Sequence, residues 1–305
     1  MKEPQKSALT SFIRISQPLL LLGGFLMYSL GTGIAHYLGH TINWTIYWLG
    51  QASVTLLQLS CFYLKETFDL PVINPTIRKP PPDQEKPVDQ PPFSRNNFLL
   101  ITFTTLTIGA ILTVLLISNG VVNSATFLLL GIAFLISFFY AVPPFRLIYS
   151  GYGELAMAFF MVNLVPALAL LLQMGDLHRL VAMVSFPLTA LYLAMLLALS
   201  LEGYASDLKY GRKTAMIRLG WQRGMTWHNL LILAAYFFIG IDLLIGLPWS
   251  LAWPALLTLP LGIFQIWQMF QIASGAKPRW RLLALNVVAT LGLAVYFLTF
   301  ALWTH

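Results

Sequence analysis

Long apolar runs separated by short polar segments dominate this 305-residue sequence. A helix of roughly 20 apolar residues crosses the hydrocarbon core of a bilayer, and each run is about that long. The runs are also continuous, whereas a strand of a membrane barrel shows about ten residues of alternating polarity. The pattern therefore predicts transmembrane helices. The nine predicted spans are residues 17–39, 44–64, 98–117, 124–142, 154–174, 181–201, 227–247, 250–272 and 282–303.

The composition excludes an ordinary soluble domain. Only 10% of the residues are charged, 58% are hydrophobic, and the mean hydropathy is +0.74. A soluble surface needs a larger share of charged side chains than this chain has. We therefore expect an all-α, polytopic integral membrane protein in which residues 1–305 form one domain.

Basic residues mark one side of the predicted membrane. With the N-terminus placed inside, every Lys and Arg except Arg179 falls in the N-terminal segment or in an even-numbered loop. The positive-inside rule then predicts a cytoplasmic N-terminus and an external C-terminus, in a prokaryotic inner or plasma membrane. Because the net charge of +7 is spread over short loops, we expect a lipid bilayer and a phosphorylated substrate as partners, and no nucleic acid.

Two predicted cytoplasmic loops are long. Residues 65–97 are rich in proline, which favours extended backbone, whereas residues 202–226 are polar, basic and predicted to be partly helical. The first loop follows the second span and the other follows the sixth. This placement indicates two four-helix halves followed by a ninth helix.

Acidic residues occur at matching ends of the second and sixth spans. Glu66 and Asp69 are three residues apart in KETFD, which places both carboxylates on one face of a helix. Glu202 and Asp207 lie at the corresponding end of the sixth span. Magnesium prefers oxygen ligands and often binds through one or two carboxylates together with substrate phosphates. All four residues are therefore candidate metal ligands, although charged helix ends are also common at membrane interfaces.

Basic residues accompany both acidic clusters. Lys65 precedes Glu66, and three further cations follow Asp207 closely, namely Lys209, Arg212 and Lys213. A metal-bound diphosphate needs this combination, because carboxylates hold the metal while cations meet the remaining phosphate charge. We therefore predict a diphosphate site where the two clusters meet.

Three segments resemble a known family. YAVPPFRLIYSGYGE at residues 140–154 is similar to the Y-x-x-P-P-x-R-L-x-x-x-G-x-G-E segment of the UbiA superfamily of membrane prenyltransferases. Its nearest likeness is to the branch that prenylates 1,4-dihydroxy-2-naphthoate in menaquinone synthesis. DLKYGRKTAMIRLG at residues 207–220 resembles the family's second aspartate motif, and KETFD at residues 65–69 aligns with its first, N-D-x-x-D.

The resemblance implies a fold, a reaction and a cofactor. The family fold is a ring of nine helices around a central cavity. Its aspartate motifs bind Mg²⁺ and the diphosphate of a polyprenyl donor, whose allylic cation is attacked by a small aromatic acceptor. On this basis we expect a prenyltransferase in which Glu66, Asp69 and Asp207 act in catalysis.

The resemblance also suggests roles for four residues outside the acidic clusters. Arg146 is expected at the diphosphate, and Tyr140 near the developing cation. Arg14 and Gln58 are candidate contacts for the acceptor, although an interfacial anchor and an interhelical hydrogen bond, respectively, are the alternative roles.

The aspartate motifs depart from the family pattern at three positions. Lys65 and Glu66 replace the Asn and the first Asp of the first motif, and Gly203 replaces the first Asp of the second. Two hypotheses remain open, an active enzyme with a remodelled metal site and a catalytically silent relative that binds isoprenoid or quinone lipids. A secondary transporter is a third hypothesis. Transporters place polar binding residues near the membrane midplane, whereas the acidic residues here cluster at the predicted cytoplasmic face.

Overall fold

The computed structural model describes residues 16–69, 95–209 and 211–305, with the side chain of Asp69 excepted. Arg14 and most of the proline-rich loop therefore lie outside the described residues. The described part contains twelve helices and a short 3₁₀ helix at Leu147–Tyr149, and its only β-bridge joins Ser150 to Lys213. The helices are α1 Pro18–Tyr37, α2 Trp44–Asp69, α3 Arg95–Ser118, α4 Ser124–Ala141, α5 Gly153–Met174, α6 Arg179–Glu202, α7 Tyr204–Lys209, α8 Ala215–Leu219, α9 Trp221–Leu244, α10 Trp249–Leu256, α11 Leu259–Ala273 and α12 Trp280–Thr304.

Eight helical stretches in the described part of the chain are long and apolar enough to cross a membrane, with Trp249–Ala273 counted as one. They coincide with eight of the nine predicted spans, which supports an integral membrane protein. The remaining predicted span, residues 44–64, lies in the 26-residue helix α2 but is not among the eight. Polar side chains such as Gln51 and Gln58 interrupt its apolar character. The predicted count of nine spans is therefore not confirmed.

Two spans are irregular. Helix α5 widens to a π-helical turn at Phe159–Leu164, immediately before Pro166, and the side chain of Asn163 there donates to Thr189 of α6 at 2.9 Å. Between α10 and α11 the helix is interrupted at residues 257–258, near Pro260. Proline has no backbone N–H and cannot complete the regular hydrogen-bond pattern, so both departures have a local cause.

The helices form a closed bundle, because α12 packs against α1 as well as against α6. Helices α5 and α6 are the most buried spans, with 72% of the apolar window of each inside the protein, whereas for α3 the share is 11%. Helix α3 packs mainly on α2 and presents the rest of its surface to the lipid. The interior of the bundle is thus built around α5 and α6.

Alternation of the spans places four segments at one end of the bundle, which we call the site face. They are the end of α2, residues 142–152, residues 203–220 and residues 274–279. The opposite end holds the other connections, where Gln173 accepts a hydrogen bond from the Asn43 backbone at 3.0 Å. Both acidic clusters predicted from the sequence lie at the site face.

Candidate functional site

Arg146 links the end of α2 to the connection between α4 and α5. Its backbone adopts a left-handed conformation with φ of 37°, and its Nη2 donates to the carbonyl of Phe68 at 3.3 Å. The guanidinium also lies over the ring of Tyr149, 4.8 Å from the centroid. The arginine therefore stands beside the helix end that carries Glu66 and Asp69.

The Asp207 segment reaches the same tyrosine. The guanidinium of Arg212 lies 5.9 Å from the centroid of the Tyr149 ring, and its Nη1 is 3.8 Å from Oδ1 of Asp207. Tyr149 thus contacts one cation from each of two segments that are more than 60 residues apart in the sequence. The fold joins the predicted diphosphate-binding residues Arg146 and Arg212 at one place.

A short set of contacts fixes the backbone that follows Asp207. Ser150 and Lys213 form the parallel bridge, and the hydroxyl of Thr214 accepts from the Ile217 backbone at 3.3 Å, which caps α8. Gly151 has a φ of +80° and packs against Arg218, where a Cβ would lie 2.8 Å from that side chain. Both the conformation and the contact require glycine at this position.

Glu154 is a functional candidate that sequence reasoning did not single out. It begins α5 and is half-buried, and its Oε1 accepts from the Ala215 backbone at 3.0 Å. Its Oε2 is buried without a hydrogen-bond partner in the described part of the chain. The sequence does contain a signal for Glu154, namely a carboxylate in the first turn of a membrane-spanning helix. An ionisable side chain in a span costs free energy and therefore usually marks a functional position.

Removal of the Glu154 carboxylate is expected to loosen the Asp207 segment. In Glu154→Ala the Ala215 N–H loses its acceptor, which costs about 1–3 kcal/mol when the group stays buried. We expect the Tm of Glu154→Ala to fall, whereas Glu154→Gln keeps an amide oxygen as acceptor and should recover most of the loss. Equal losses of Tm in the two variants would contradict this positioning role.

Asp207 lies over Gly203. A Cβ at residue 203 would be 3.5 Å from Oδ2 of Asp207, and the Asp207 backbone donates to the Gly203 carbonyl at 2.9 Å. The preceding residue, Glu202, is exposed and forms no ion pair or hydrogen bond through its side chain with the described residues. The position that faces Asp207 is therefore residue 203, and the predicted role of Glu202 as a metal ligand stays a prediction.

The acidic residues of α2 stand at the helix end. Glu66 is 3.9 Å from Nζ of Lys65, and both side chains are partly exposed. Asp69 ends the helix, but its side chain is not described. Among the described residues, no group of three or more His, Cys, Asp or Glu side chains is placed to hold a metal. A metal site would therefore need further ligands from Asp69, from other residues outside the described part, from the substrate or from water.

A narrow cavity of about 20 Å³, measured as the space open to the centre of a water-sized sphere, lies among α1, α2, α4, α5 and α6. Its lining includes Tyr140, Gln58 and Tyr192, and the other walls are mainly apolar. Gln58 donates to Sδ of Met161 at 3.1 Å, while its Oε1 is buried without a hydrogen-bond partner among the described residues. Tyr140 is the last residue but one of α4, which places it where the cavity approaches the site face.

The predicted site residues thus separate into three groups. Arg146, Asp207, Arg212 and Lys213 are held together through the contacts at Tyr149 and Ser150, whereas Tyr140 and Gln58 line the cavity. Lys65 and Glu66 stand at the end of α2, and Lys209 is exposed at the end of α7. Arg14 lies outside the described residues.

The side chains present fit a magnesium ion in their chemistry. The donors are carboxylates, which Mg²⁺ prefers, and the separation of 3.8 Å between Asp207 and Arg212 leaves the carboxylate without a tight ion pair. The Glu154 oxygen without a partner shows that the site has unsatisfied acceptor capacity. Neighbouring cations would meet the charge of a metal-bound phosphate.

Comparison with known proteins rests on structure. No protein-family model matches the sequence, and no curated protein matches it. A UbiA homologue from Archaeoglobus fulgidus bound to GPP and Mg²⁺ has a TM-score of 0.68 at 17% identity, and the match covers 97% of this chain and 100% of the homologue. Digeranylgeranylglyceryl phosphate synthase has a TM-score of 0.66 at 14% identity, covering 98% and 99%.

A third solved structure gives the same result. The apo form of a UbiA homologue from Aeropyrum pernix K1 has a TM-score of 0.62 at 15% identity, with coverage of 89% of this chain and 97% of that one. All three likenesses extend over nearly the whole chain at low identity, so what they establish is the fold. The chain therefore has the fold of the UbiA homologues.

Proposed function

We propose that the protein is an intramembrane prenyltransferase, which transfers a polyprenyl group from its diphosphate to a small aromatic acceptor. The observation that carries the proposal is the contact of Arg146 and Arg212 with the single ring of Tyr149, because it joins both predicted motif segments. A single anionic substrate at the site face can then meet cations from both. The homologue bound to GPP and Mg²⁺ supports the same substrate class.

The diphosphate is assigned to the site face. Arg146, Arg212 and Lys213 would meet its oxygens, with Lys65 and Lys209 at the edge of the site. Glu66, Asp69 and Asp207 would hold Mg²⁺, whereas Glu202 remains a secondary candidate because its position does not face Asp207. The bound ion would neutralise charge on the diphosphate as it leaves. The arginines would also stabilise the negative charge of the leaving diphosphate, and their side chains would already be in place before the reaction.

The reacting carbon and the acceptor are assigned to the cavity beneath the site face, which has to widen when they bind. Tyr140 and Tyr192 line it, and the electron-rich faces of aromatic rings favour a nearby cation. Its apolar walls exclude water, which would otherwise capture the allylic cation. Gln58 offers a buried oxygen without a partner, which can accept a hydrogen bond from an acceptor hydroxyl. Arg14 remains a further candidate at the acceptor.

The proposed acceptor is 1,4-dihydroxy-2-naphthoate, which would place the reaction in menaquinone synthesis. This choice rests on the resemblance of residues 140–154 to that branch of the superfamily. The positive-inside pattern further predicts that the site face is cytoplasmic, with the C-terminus outside. A water-soluble acceptor and the diphosphate headgroup would then reach the site from the cytoplasm.

A direct test is diphosphate release by the purified full-length chain in lipid, with Mg²⁺, a polyprenyl diphosphate and the naphthoate. We expect release that requires both Mg²⁺ and the acceptor, together with a prenylated product identified by mass. A chelator should stop it, and added Mg²⁺ should restore it. Folded protein that releases no diphosphate across a panel of aromatic acceptors and chain lengths would contradict the proposal.

The second candidate function is a catalytically silent carrier of isoprenoid or quinone lipids. Two observations favour it, namely Lys65 beside Glu66 at 3.9 Å and the absent carboxylate at Gly203, since both changes weaken a metal site. The carrier would bind a polyprenyl lipid saturably without releasing diphosphate. Release that depends on acceptor would exclude this function.

A further inference from the structure

A groove at the site face shares no residue with the cavity or with the acidic segments. It lies between α11 and α12, around the connection 274–279, and has a volume of about 750 Å³. Its lining includes Trp267, Gln268, Lys277, Arg279 and Leu282. The two halves of this lining differ sharply in polarity.

The end of the groove at the connection is cationic. Lys277 and Arg279 are exposed, and neither forms an ion pair with the residues that the structure describes. The sequence offers them little compensation nearby, because no aspartate or glutamate follows Asp242 in the chain. The positive potential at this end is therefore available to an external anion.

Two further groups at this end of the groove can donate hydrogen bonds to an anion. Helix α12 is 25 residues long and begins at the groove, where its N-cap residue Arg279 makes no side-chain capping bond, so the first N–H groups can face an anion. Gln268 is 7% exposed, and its Oε1 accepts from Nδ2 of Asn286 at 3.0 Å. Nε2 of Gln268 has no acceptor in the described part of the protein, and it remains available as a donor.

The rest of the groove is apolar and faces the lipid. Phe264 and Trp267 stack with centroids 5.5 Å apart, and Trp267 is 52% exposed. Leu282 of α12 lines the opposite wall. A tryptophan at this depth is typical of the membrane interface. A ligand that fills the groove must therefore have an anionic head and an apolar tail.

We propose that this groove binds an anionic phospholipid. The headgroup phosphate lies against Lys277, Arg279 and Nε2 of Gln268, at the start of α12. One acyl chain follows the apolar wall formed by Phe264 and Trp267. The site is separate from the proposed prenyl diphosphate site, and its occupancy links α11 to α12. The lipid thereby stabilises the last two spans of the bundle.

Thermal unfolding of the delipidated full-length protein in neutral detergent tests the site. We expect added phosphatidylglycerol to raise the Tm, and phosphatidylcholine to raise it much less. In the double variant Lys277→Gln and Arg279→Gln most of the rise with phosphatidylglycerol should vanish, while the Tm in phosphatidylcholine stays unchanged. Should the double variant fail to fold, each single substitution is expected to remove part of the rise.

Arg281→Gln is the matched control, because Arg281 is exposed beside the groove but does not line it. It should keep the full rise, and Trp267→Ala should reduce it through loss of the apolar wall. An equal loss in Arg281→Gln would overturn the site in favour of a diffuse surface charge. A rise of the same size with glycerol 3-phosphate alone would show that the groove takes a small anion and not a lipid.

Discussion

Replacement of Asp207 by asparagine is expected to lower prenyl transfer by about 100-fold or more, which corresponds to about 3 kcal/mol in the barrier. The substitution keeps the size of the side chain but removes the negative charge that faces Gly203 and Arg212. On the proposed function two effects combine, because Asp207 would be a charged ligand of the metal and is also the partner of Arg212. The rate should be measured as diphosphate release at saturating donor.

Asp176→Asn is the control for this prediction. Asp176 is exposed in the connection between α5 and α6, at the end of the bundle opposite the site face, so its charge is remote from the diphosphate. The control should retain the full rate. If Asp207→Asn also retains it while the elution profile and Tm match those of the parent protein, Asp207 holds no essential metal.

The helices could be predicted because few backbone conformations are possible inside a membrane. In the hydrocarbon core every backbone polar group must be satisfied within the segment, so an apolar run of about 20 residues becomes a helix. Helix α9 shows the limit of this argument, since it begins at Trp221 whereas the apolar run predicts residue 227. Gly220, with a φ of +79°, is both the C-cap of the short helix α8 and the N-cap of α9, so α9 already includes the polar residues before the apolar run.

The residues of the candidate site were proposed from the sequence by type, but their contacts were not. Asp207, Arg212 and Arg146 follow from their motifs, yet the ring of Tyr149 that brings the two arginines together belongs to neither acidic cluster. Glu154 was missed for the same reason, because its partner Ala215 is 61 residues away in the sequence. Contacts between distant segments depend on how the helices pack, and one sequence does not specify that.

Neither the backbone conformation nor the available space requires a glycine at residue 203. Its φ of −83° and ψ of −3° are accessible to any residue, so no backbone strain requires glycine there. The space is also open, since a Cβ would make only an ordinary contact of 3.5 Å with Oδ2 of Asp207. An aspartate would therefore fit at residue 203, and its absence changes the chemistry of the site but not the fold.

Gly203→Asp is accordingly expected to strengthen magnesium binding. The new carboxylate would lie beside Asp207. The two negative charges would repel each other in the metal-free protein, whereas both could bind one Mg²⁺ ion when it is present. We expect the Mg²⁺ concentration for half-maximal activity to fall about tenfold, which is the scale on which ligand changes alter metal affinity. The same repulsion should lower the Tm of the metal-free protein and increase the rise in Tm on addition of Mg²⁺.

Glu202→Asp provides the comparison, because it shortens a carboxylate at the neighbouring position, which does not face Asp207. If the face of the helix decides metal binding, Glu202→Asp should leave the Mg²⁺ dependence nearly unchanged while Gly203→Asp shifts it. An unchanged Mg²⁺ dependence in folded Gly203→Asp would mean that the metal, if bound, lies away from Asp207. The remodelled site would then have to be sought around Glu66 and Asp69, with the carboxylate of α2 as its centre.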